Sequence, residues 1–248
     1  MPVEKPSFTD DRIERLIEME REHFWFAGRR ILVDALLRRH APGRGAELVD
    51  VGVGGGYYAE LLSERGYRVT AVDFLAGGLR RLGTVAPAVR RLRSTAEQLA
   101  MRDGAFDCAL ALDVLEHTDD EPAAAELYRI LRPGGVAVVT VPAFSWLWSY
   151  RDEAAGHKRR YTRRGLEELL RGAGFAVRQA GYYGCLLLPL TALSRFAGRV
   201  TPATRDMEDV PPWAVNQIFR AINCGEARVG TRLAWPVGST VFACVEKR

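Results

Sequence analysis

Asp50-Val51-Gly52-Val53-Gly54-Gly55-Gly56 sets a carboxylate directly ahead of glycines at alternate positions. Glycine has no Cβ, so such a turn bends tightly and lets a ligand lie against bare backbone, with the N–H groups of a following helix pointing at it. A second carboxylate, Asp73, ends Ala71-Val72-Asp73-Phe74 at the spacing expected of an acid that accepts hydrogen bonds from both hydroxyls of a ribose. The two acids and the turn point to a nucleotide-bearing cofactor. Two patterns compete for the turn. Gly54-x-Gly56-x-x-Ala59 meets the permissive dinucleotide fingerprint, but counted from Gly52 the third position is Tyr57, which fails it. Asp-x-Gly-x-Gly-x-Gly fits from end to end.

Two further stretches are dense in acid–base and aromatic groups. One runs Trp146-Leu-Trp148-Ser-Tyr150-Arg151-Asp152 and on to Gly156-His157-Lys-Arg159-Arg160-Tyr161. His157 is the leading candidate for a general base, with Asp152 its orienting partner or an alternative base. Trp146, Trp148 and Tyr161 are candidates for the walls of a substrate pocket, and Arg160 for holding an anionic group. The competing reading is packing, with Asp152 and Arg159 or Arg160 pinning a loop. The other stretch is His23-Phe24-Trp25-Phe26 followed by Arg29 and Arg30. Trp25 and Arg29 suit a lid that offers an aromatic face to a cation and a guanidinium to a carboxylate, or a staple between helices and sheet.

Elements must hold these groups in place. Ile13, Leu16, Ile17 and Glu20 recur at helical spacing over residues 10–22, with Thr9 or Asp10 available as cap, and a second helix ends at Pro42-Gly43. The chain then alternates. Strands are expected at 47–51, 68–72, 89–92, 106–112 and 136–141, and helices at 57–65 and 122–131, which means a parallel sheet covered on both faces. Thr162 caps a helix that closes at Gly172-Ala-Gly174, and 175–179 and 240–245 read as two late strands. Between them, about 181–238 reads as a partly helical insertion with Pro189, Pro202, Pro211, Pro212 and Pro236.

Composition bounds the function. With 248 residues, 48% hydrophobic and 27% charged, the chain reads as one α/β domain with a helical elaboration: a lid over 1–43, a core over 45–180, a substrate-side insertion over 181–238 and a last strand over 239–248. A net charge of +4 does not call for nucleic acid, and Lys5, Lys158 and Lys247 are the only lysines among 35 basic residues. Cys108, Cys185, Cys224 and Cys244 show no ligand spacing, so no metal is expected and they read as buried thiols in a reducing cytoplasm. The polar, acidic N-terminus reads as neither signal peptide nor anchor. The longest uncharged run, 180–194, falls short of the roughly 20 residues of a spanning helix; peripheral membrane contact stays open, as does monomer or homodimer.

Leu110-Ala-Leu-Asp113-Val-Leu-Glu116-His117 after Phe106-Asp107, and Arg132-Pro133-Gly134-Gly135 after a helix, complete a set that resembles class I, Rossmann-like S-adenosylmethionine-dependent methyltransferases. The likeness covers about residues 45–180 and is nearest the small-molecule branch that includes quinone-biosynthesis enzymes. It implies a doubly wound, seven-stranded, mostly parallel sheet whose last strand is antiparallel. It also implies S-adenosyl-L-methionine as cofactor. Asp50, Gly52, Gly54 and Gly56 would surround the methionine portion, Asp73 the ribose and Phe74 one adenine face. Leu112 and Asp113 would border the sulfur, with His117 near the pocket mouth. The family often has aspartate where Thr95 stands, so the Thr95 hydroxyl or the Ala96 amide would take over the adenine grip. Val53 and Gly55 also depart from the family's usual cysteine and threonine.

Methyl transfer from a sulfonium is an in-line displacement, for which orientation supplies roughly 7–11 kcal/mol of the barrier. The reading is methylation of a small amphiphilic or acidic molecule at a hydroxyl. Methylation at carbon or nitrogen, a cyclase-like reaction that keeps the cofactor and, less favoured, an NAD(P)-dependent oxidoreductase are the alternatives.

Overall fold

The computed structural model describes residues 10–200, 210–230 and 235–248, with side chains described from Leu16 to Phe196 in the first stretch. The capping expectation falls on Thr9, outside the described residues, and on Asp10, the first residue of the helix, whose side chain is not described. Seven strands form one sheet: β1 (Glu47–Val51), β2 (Arg68–Asp73), β3 (Arg90–Arg93), β4 (Phe106–Leu112), β5 (Leu131–Pro142), β6 (Phe175–Tyr183) and β7 (Thr240–Lys247). Their order is β3-β2-β1-β4-β5-β7-β6. β1 through β5 pair in parallel, and β7 runs antiparallel to both neighbours.

Burial on both faces is visible in the side chains of β4. Phe106, Ala109 and Ala111 enter one core layer with Leu127 and Ile130 of α5 (Asp120–Ile130) and Leu166 and Leu170 of α7 (Arg163–Gly172). Cys108, Leu110 and Leu112 enter the other, with Leu32, Leu36 and Leu37 of α2 (Phe24–His40), Leu62 of α3 (Tyr57–Glu64) and Leu82 of α4 (Ala76–Val85). Near-period-2 alternation along one apolar strand therefore feeds two separate layers.

Several boundaries move from expectation. β5 starts at Leu131 and passes through Pro133-Gly134-Gly135, because Leu131 pairs with Phe106 across an irregularity before Val136 pairs with Cys108. β6 continues to Tyr183, where pairing with β7 holds through Thr240, so residues 181–183 belong to the sheet. The segment after it contains α8 (Leu188–Val200) and α9 (Trp213–Gly230). α9 sits on α2: the Asn216 side chain accepts from Phe24 N at 3.0 Å and donates to Glu22 O at 2.9 Å, and Phe219 meets Phe24 edge to face. Cys108 and Cys244 are buried, but Cys185 and Cys224 are partly exposed, since they lie outside the strands; all four are free thiols. Among the described residues no helix is long and apolar enough to cross a membrane.

Strand order reverses between β1 and β4, and the crevice at such a switch point is where doubly wound sheets bind ligands. The C-terminal ends of these two strands carry Asp50-Val51-Gly52 and Leu112-Asp113.

Candidate functional site

A cavity of about 410 Å³ opens at this switch point. Its floor is the turn after β1. Gly52 and Gly54 have φ of +73° and +58°, and a Cβ on Gly52 would stand 2.4 Å from Val114 Cγ2. No L side chain fits that position, which explains the glycine. Gly56, at φ +81°, is the N-cap of α3 and supports the turn from outside the cavity lining.

Asp73 lines the cavity while its two oxygens accept from Gly54 N at 3.0 Å and Leu75 N at 2.9 Å. It thus ties the turn to the start of α4, and burial raises its pKa against the pull of the Leu75, Gly54 and Phe74 backbone groups. Asp50 is buried deeper. Burial pushes its carboxyl up to about 7; the Arg29 charge opposes this, whereas Glu20 and Asp73 add to it. Phe74, half exposed, lines the same cavity with Thr95 and Ala96.

The N-terminal helices close one side. Trp25 and Arg29 line the cavity, and the guanidinium lies 4.8 Å from the Trp25 ring centre and 4.9 Å from that of Phe26. His23, held near pKa 4 by burial, accepts from Trp25 N and caps α2. Arg29 donates to the Asp113 carboxylate and, at 3.4 Å, to Leu112 O. Asp113 adopts φ +60°, turning the chain out of β4 into a short 3₁₀ turn, Leu115–His117.

Glu20, on α1 (Asp10–Glu22), was not foreseen in the sequence. Its carboxylate accepts from Gly55 N and Tyr57 N, each at 3.0 Å, at the N-terminus of α3. Side chains at Gly54 or Gly55 would collide with it, since a Cβ on either lies within about 3.0 Å of its oxygens. Burial raises the Glu20 pKa, with the two backbone bonds and the Arg29 and Arg81 charges pulling it down. Glu97 is a second unforeseen carboxylate on the cavity lining, two residues beyond Thr95. The signal for Glu20 was present as an acidic position on the apolar face of α1, where a carboxylate needs a partner.

The opposite wall is built from two distant segments. Lys158 N donates to Glu116 O at 2.7 Å and Tyr161 OH to Leu115 O at 3.3 Å, stitching 156–161 against 115–120. His117 and His157 line the cavity with ring centres 4.7 Å apart. His157 Nδ1 lies 2.8 Å from Asp152 Oδ1. Asp152 is fully enclosed: it also accepts from Arg160 Nε at 2.8 Å, Arg195 Nη1 at 2.7 Å and Ser149 N at 2.9 Å. Burial works against its charge, but the His157 hydrogen bond and the Arg195 and Arg160 charges outweigh it and hold the carboxyl well below the usual range.

The structure therefore places Asp152 in hydrogen-bond contact with His157 and leaves it out of the cavity lining. Trp146, Trp148, Arg160 and Tyr161 do not line this cavity either. Arg160 is buried with its guanidinium on Asp152 and Ala143 O. Tyr161 is packed in the core with its hydroxyl on Asp120 Oδ2 at 2.8 Å. Trp146 is half exposed and stacks on Phe144 and Phe196, and Trp148 donates to Glu153 at 3.4 Å. Of the candidate side chains in 146–161, His157 lines the cavity and Asp152, Arg160 and Tyr161 lie behind it.

The bare glycine cradle, the ribose-spaced carboxylate and the excess of buried negative charge suit a ligand that carries a ribose and positive charge. A family model described as a methyltransferase domain matches residues 21–180. A protein of Mycolicibacterium smegmatis named as an S-adenosylmethionine-dependent methyltransferase is 29% identical over 197 residues, covering 77% of this chain and 75% of its own. A ubiquinone biosynthesis O-methyltransferase of Rickettsia felis is 33% identical over 99 residues, covering 38% of this chain and 40% of that one. Among solved structures, a chain from the Haloferax volcanii complex between the Trm112 methyltransferase activator and a methyltransferase superposes with a TM-score of 0.66 at 18% identity, covering 98% of each chain.

Proposed function

The chain belongs to the methyltransferase-domain family and is an S-adenosylmethionine-dependent methyltransferase of small molecules, and from that premise we propose that it methylates a hydroxyl oxygen of an amphiphilic or acidic acceptor. The cofactor supplies an electrophilic methyl group on a sulfonium sulfur. Asp50 and the Gly52–Gly54 backbone would hold its methionine portion, Asp73 its ribose, and Phe74, Thr95, Ala96 and Glu97 its adenine.

One observation carries the hydroxyl reading: His157 stands on the cavity wall with Nδ1 hydrogen-bonded to Asp152. That bond fixes the tautomer with its proton on Nδ1 and turns the Nε2 lone pair outward, the arrangement of a base whose partner aligns it. A hydroxyl acceptor gives up a proton as it is alkylated, and a positioned imidazole accelerates such a step by roughly 10²–10⁴-fold. The O-methyltransferase name of one relative supports the same acceptor atom. The amphiphilic character rests on the exposed apolar residues of α8, Leu190, Leu193 and Phe196, the last stacked on Trp146. We assign the 1–43 segment as a lid and the segment around α8 and α9 as acceptor-side. His157→Gln should lower turnover by roughly two to four orders of magnitude with cofactor affinity retained; unchanged turnover, or a product methylated at carbon or nitrogen, would remove this reading.

A further inference from the structure

Among the described residues, Glu116 is the only carboxylate with a fully buried oxygen that has no hydrogen-bond partner; it stands directly behind the cavity-lining His117. Its side chain is 1% exposed, and Oε2 has no hydrogen-bond donor within reach. An acceptor so placed carries the full cost of desolvation with nothing returned, and a cation beside it would offset that cost. The side chains beside it are His117 and His157, and one donor atom from each of the three lies within 4.8 Å of the others. No expectation of a metal came from the sequence, because the cysteines lack ligand spacing and His157 is distant from Glu116-His117 along the chain.

We propose that Glu116, His117 and His157 bind one divalent transition-metal ion. Two imidazoles and one carboxylate are the donor set that Zn²⁺, Mn²⁺ and Fe²⁺ accept with coordination positions left for an outside oxygen, and they are a poor set for Ca²⁺. The geometry of the surroundings fits as well. With Nδ1 of His157 held by Asp152, Nε2 is the nitrogen left for an ion, and a ligating histidine whose other nitrogen bonds a carboxylate is the usual outer support of such sites. Asp152 is in turn fixed by Arg160 and Arg195, so the orientation of the ring is set by buried groups. Bonds of about 2.0–2.2 Å require the donor atoms to draw together; His117, partly exposed and on a short turn, is the ligand with room to move.

The ion would sit on the cavity wall three residues from Asp113, and its open positions would take an acceptor oxygen. In the loaded protein the Nε2 lone pair of His157 goes to the ion, so His157 acts there as a ligand and the ion replaces it in easing loss of the acceptor proton. The acceptor hydroxyl then loses its proton more readily as an ion-bound oxygen, and the proton passes to solvent. This last step rests on the hydroxyl reading; the ion site itself does not.

The test is calorimetric titration of the full chain, first stripped with a chelator, using Mn²⁺ and Zn²⁺ separately. One ion per chain is expected, with Glu116→Gln and His117→Gln each weakening it at least about tenfold and Asp152→Asn, which keeps all three ligands, weakening it about 10–100-fold. Thermal melting and S-adenosylhomocysteine binding verify that each variant is folded; His117→Gln changes a partly exposed side chain and leaves the core intact. The proposal is overturned if folded wild-type protein binds neither ion, or if Glu116→Gln and His117→Gln bind as tightly as wild type. An O-methylated product from protein that binds no ion would reject the ion and keep the hydroxyl reading; ion binding with methylation at carbon would do the reverse.

Discussion

Arg29, in the first turns of α2, bonds the carboxylate of Asp113 at the end of β4, 84 residues further along the chain, and joins the N-terminal helices to the strand that borders the cavity. Both side chains are mostly buried, at 11% and 21% exposure, so the pair is screened less than a surface salt bridge. Arg29→Met should therefore weaken S-adenosylhomocysteine binding about tenfold, near 1.4 kcal/mol, as read by calorimetric titration. Asp113→Asn keeps a side chain that tolerates φ +60°, whereas Asp113→Ala adds backbone strain. Urea denaturation should find the alanine variant about 1 kcal/mol or more less stable than the asparagine one; equal stabilities would show that the backbone there is relaxed.

Asp50 makes cofactor binding depend on pH. Its folded pKa of about 7 exceeds that of an unfolded aspartate, so protonation favours the fold: this contribution is complete below about pH 4 and is lost as pH rises through 7. A cationic ligand prefers the ionised carboxylate and lowers that pKa. S-adenosylmethionine affinity should then rise between pH 6 and pH 8, by up to about tenfold, and Asp50→Asn should flatten the profile. A flat profile in the wild type would mean that the ligand's positive charge lies elsewhere.

Glu20 predicts a link between α1 and the turn. Glu20→Ala strands the Gly55 and Tyr57 N–H groups and should cost about 1–3 kcal/mol of stability in urea denaturation. It should also weaken cofactor affinity, because the turn loses its backing. Stability equal to wild type would show that solvent replaces the carboxylate without cost.

Tyr183 supplies a stability test away from the site. Its hydroxyl is buried and without a partner among the described residues, facing Gly28, where a Cβ would lie 1.9 Å from it. Tyr183→Phe should leave stability unchanged or raise it, since nothing favourable is removed. Gly28→Ala should destabilise by about 1–3 kcal/mol through overpacking. Thermal melting of the two variants decides the point, and a large loss in Tyr183→Phe would contradict it.

The sheet was legible because parallel strands are apolar runs bounded by turn residues, and the glycines after Asp50 can be read only as a tight turn. β5 and β6 were longer than expected, since Arg132-Pro133-Gly134-Gly135 and Gly181-Tyr182-Tyr183 look like breakers until the partner strand is known. The site was legible in part. Asp73 and His157 announce themselves by type and position. Arg160 and Tyr161 carry the same side-chain chemistry, but the sequence does not show that Asp152 and Asp120 claim them. Glu20 was legible only as an acid on the apolar face of α1; the backbone N–H groups of Gly55 and Tyr57 that it serves lie 35 and 37 residues away, and the sequence does not place them beside it.

The central claim, that the cavity between the Asp50–Gly54 turn, Asp73 and the His117–His157 wall holds the cofactor, is tested most directly by ligand-induced melting. S-adenosylhomocysteine at about one hundred times its dissociation constant should stabilise the wild-type chain by about 2.7 kcal/mol, NADH should not, and Asp73→Asn, whose own melting is lowered by the backbone N–H its amide leaves unpaired, should lose most of the ligand-induced shift. Stabilisation by NADH in place of S-adenosylhomocysteine, or an Asp73→Asn response equal to wild type, would contradict the account.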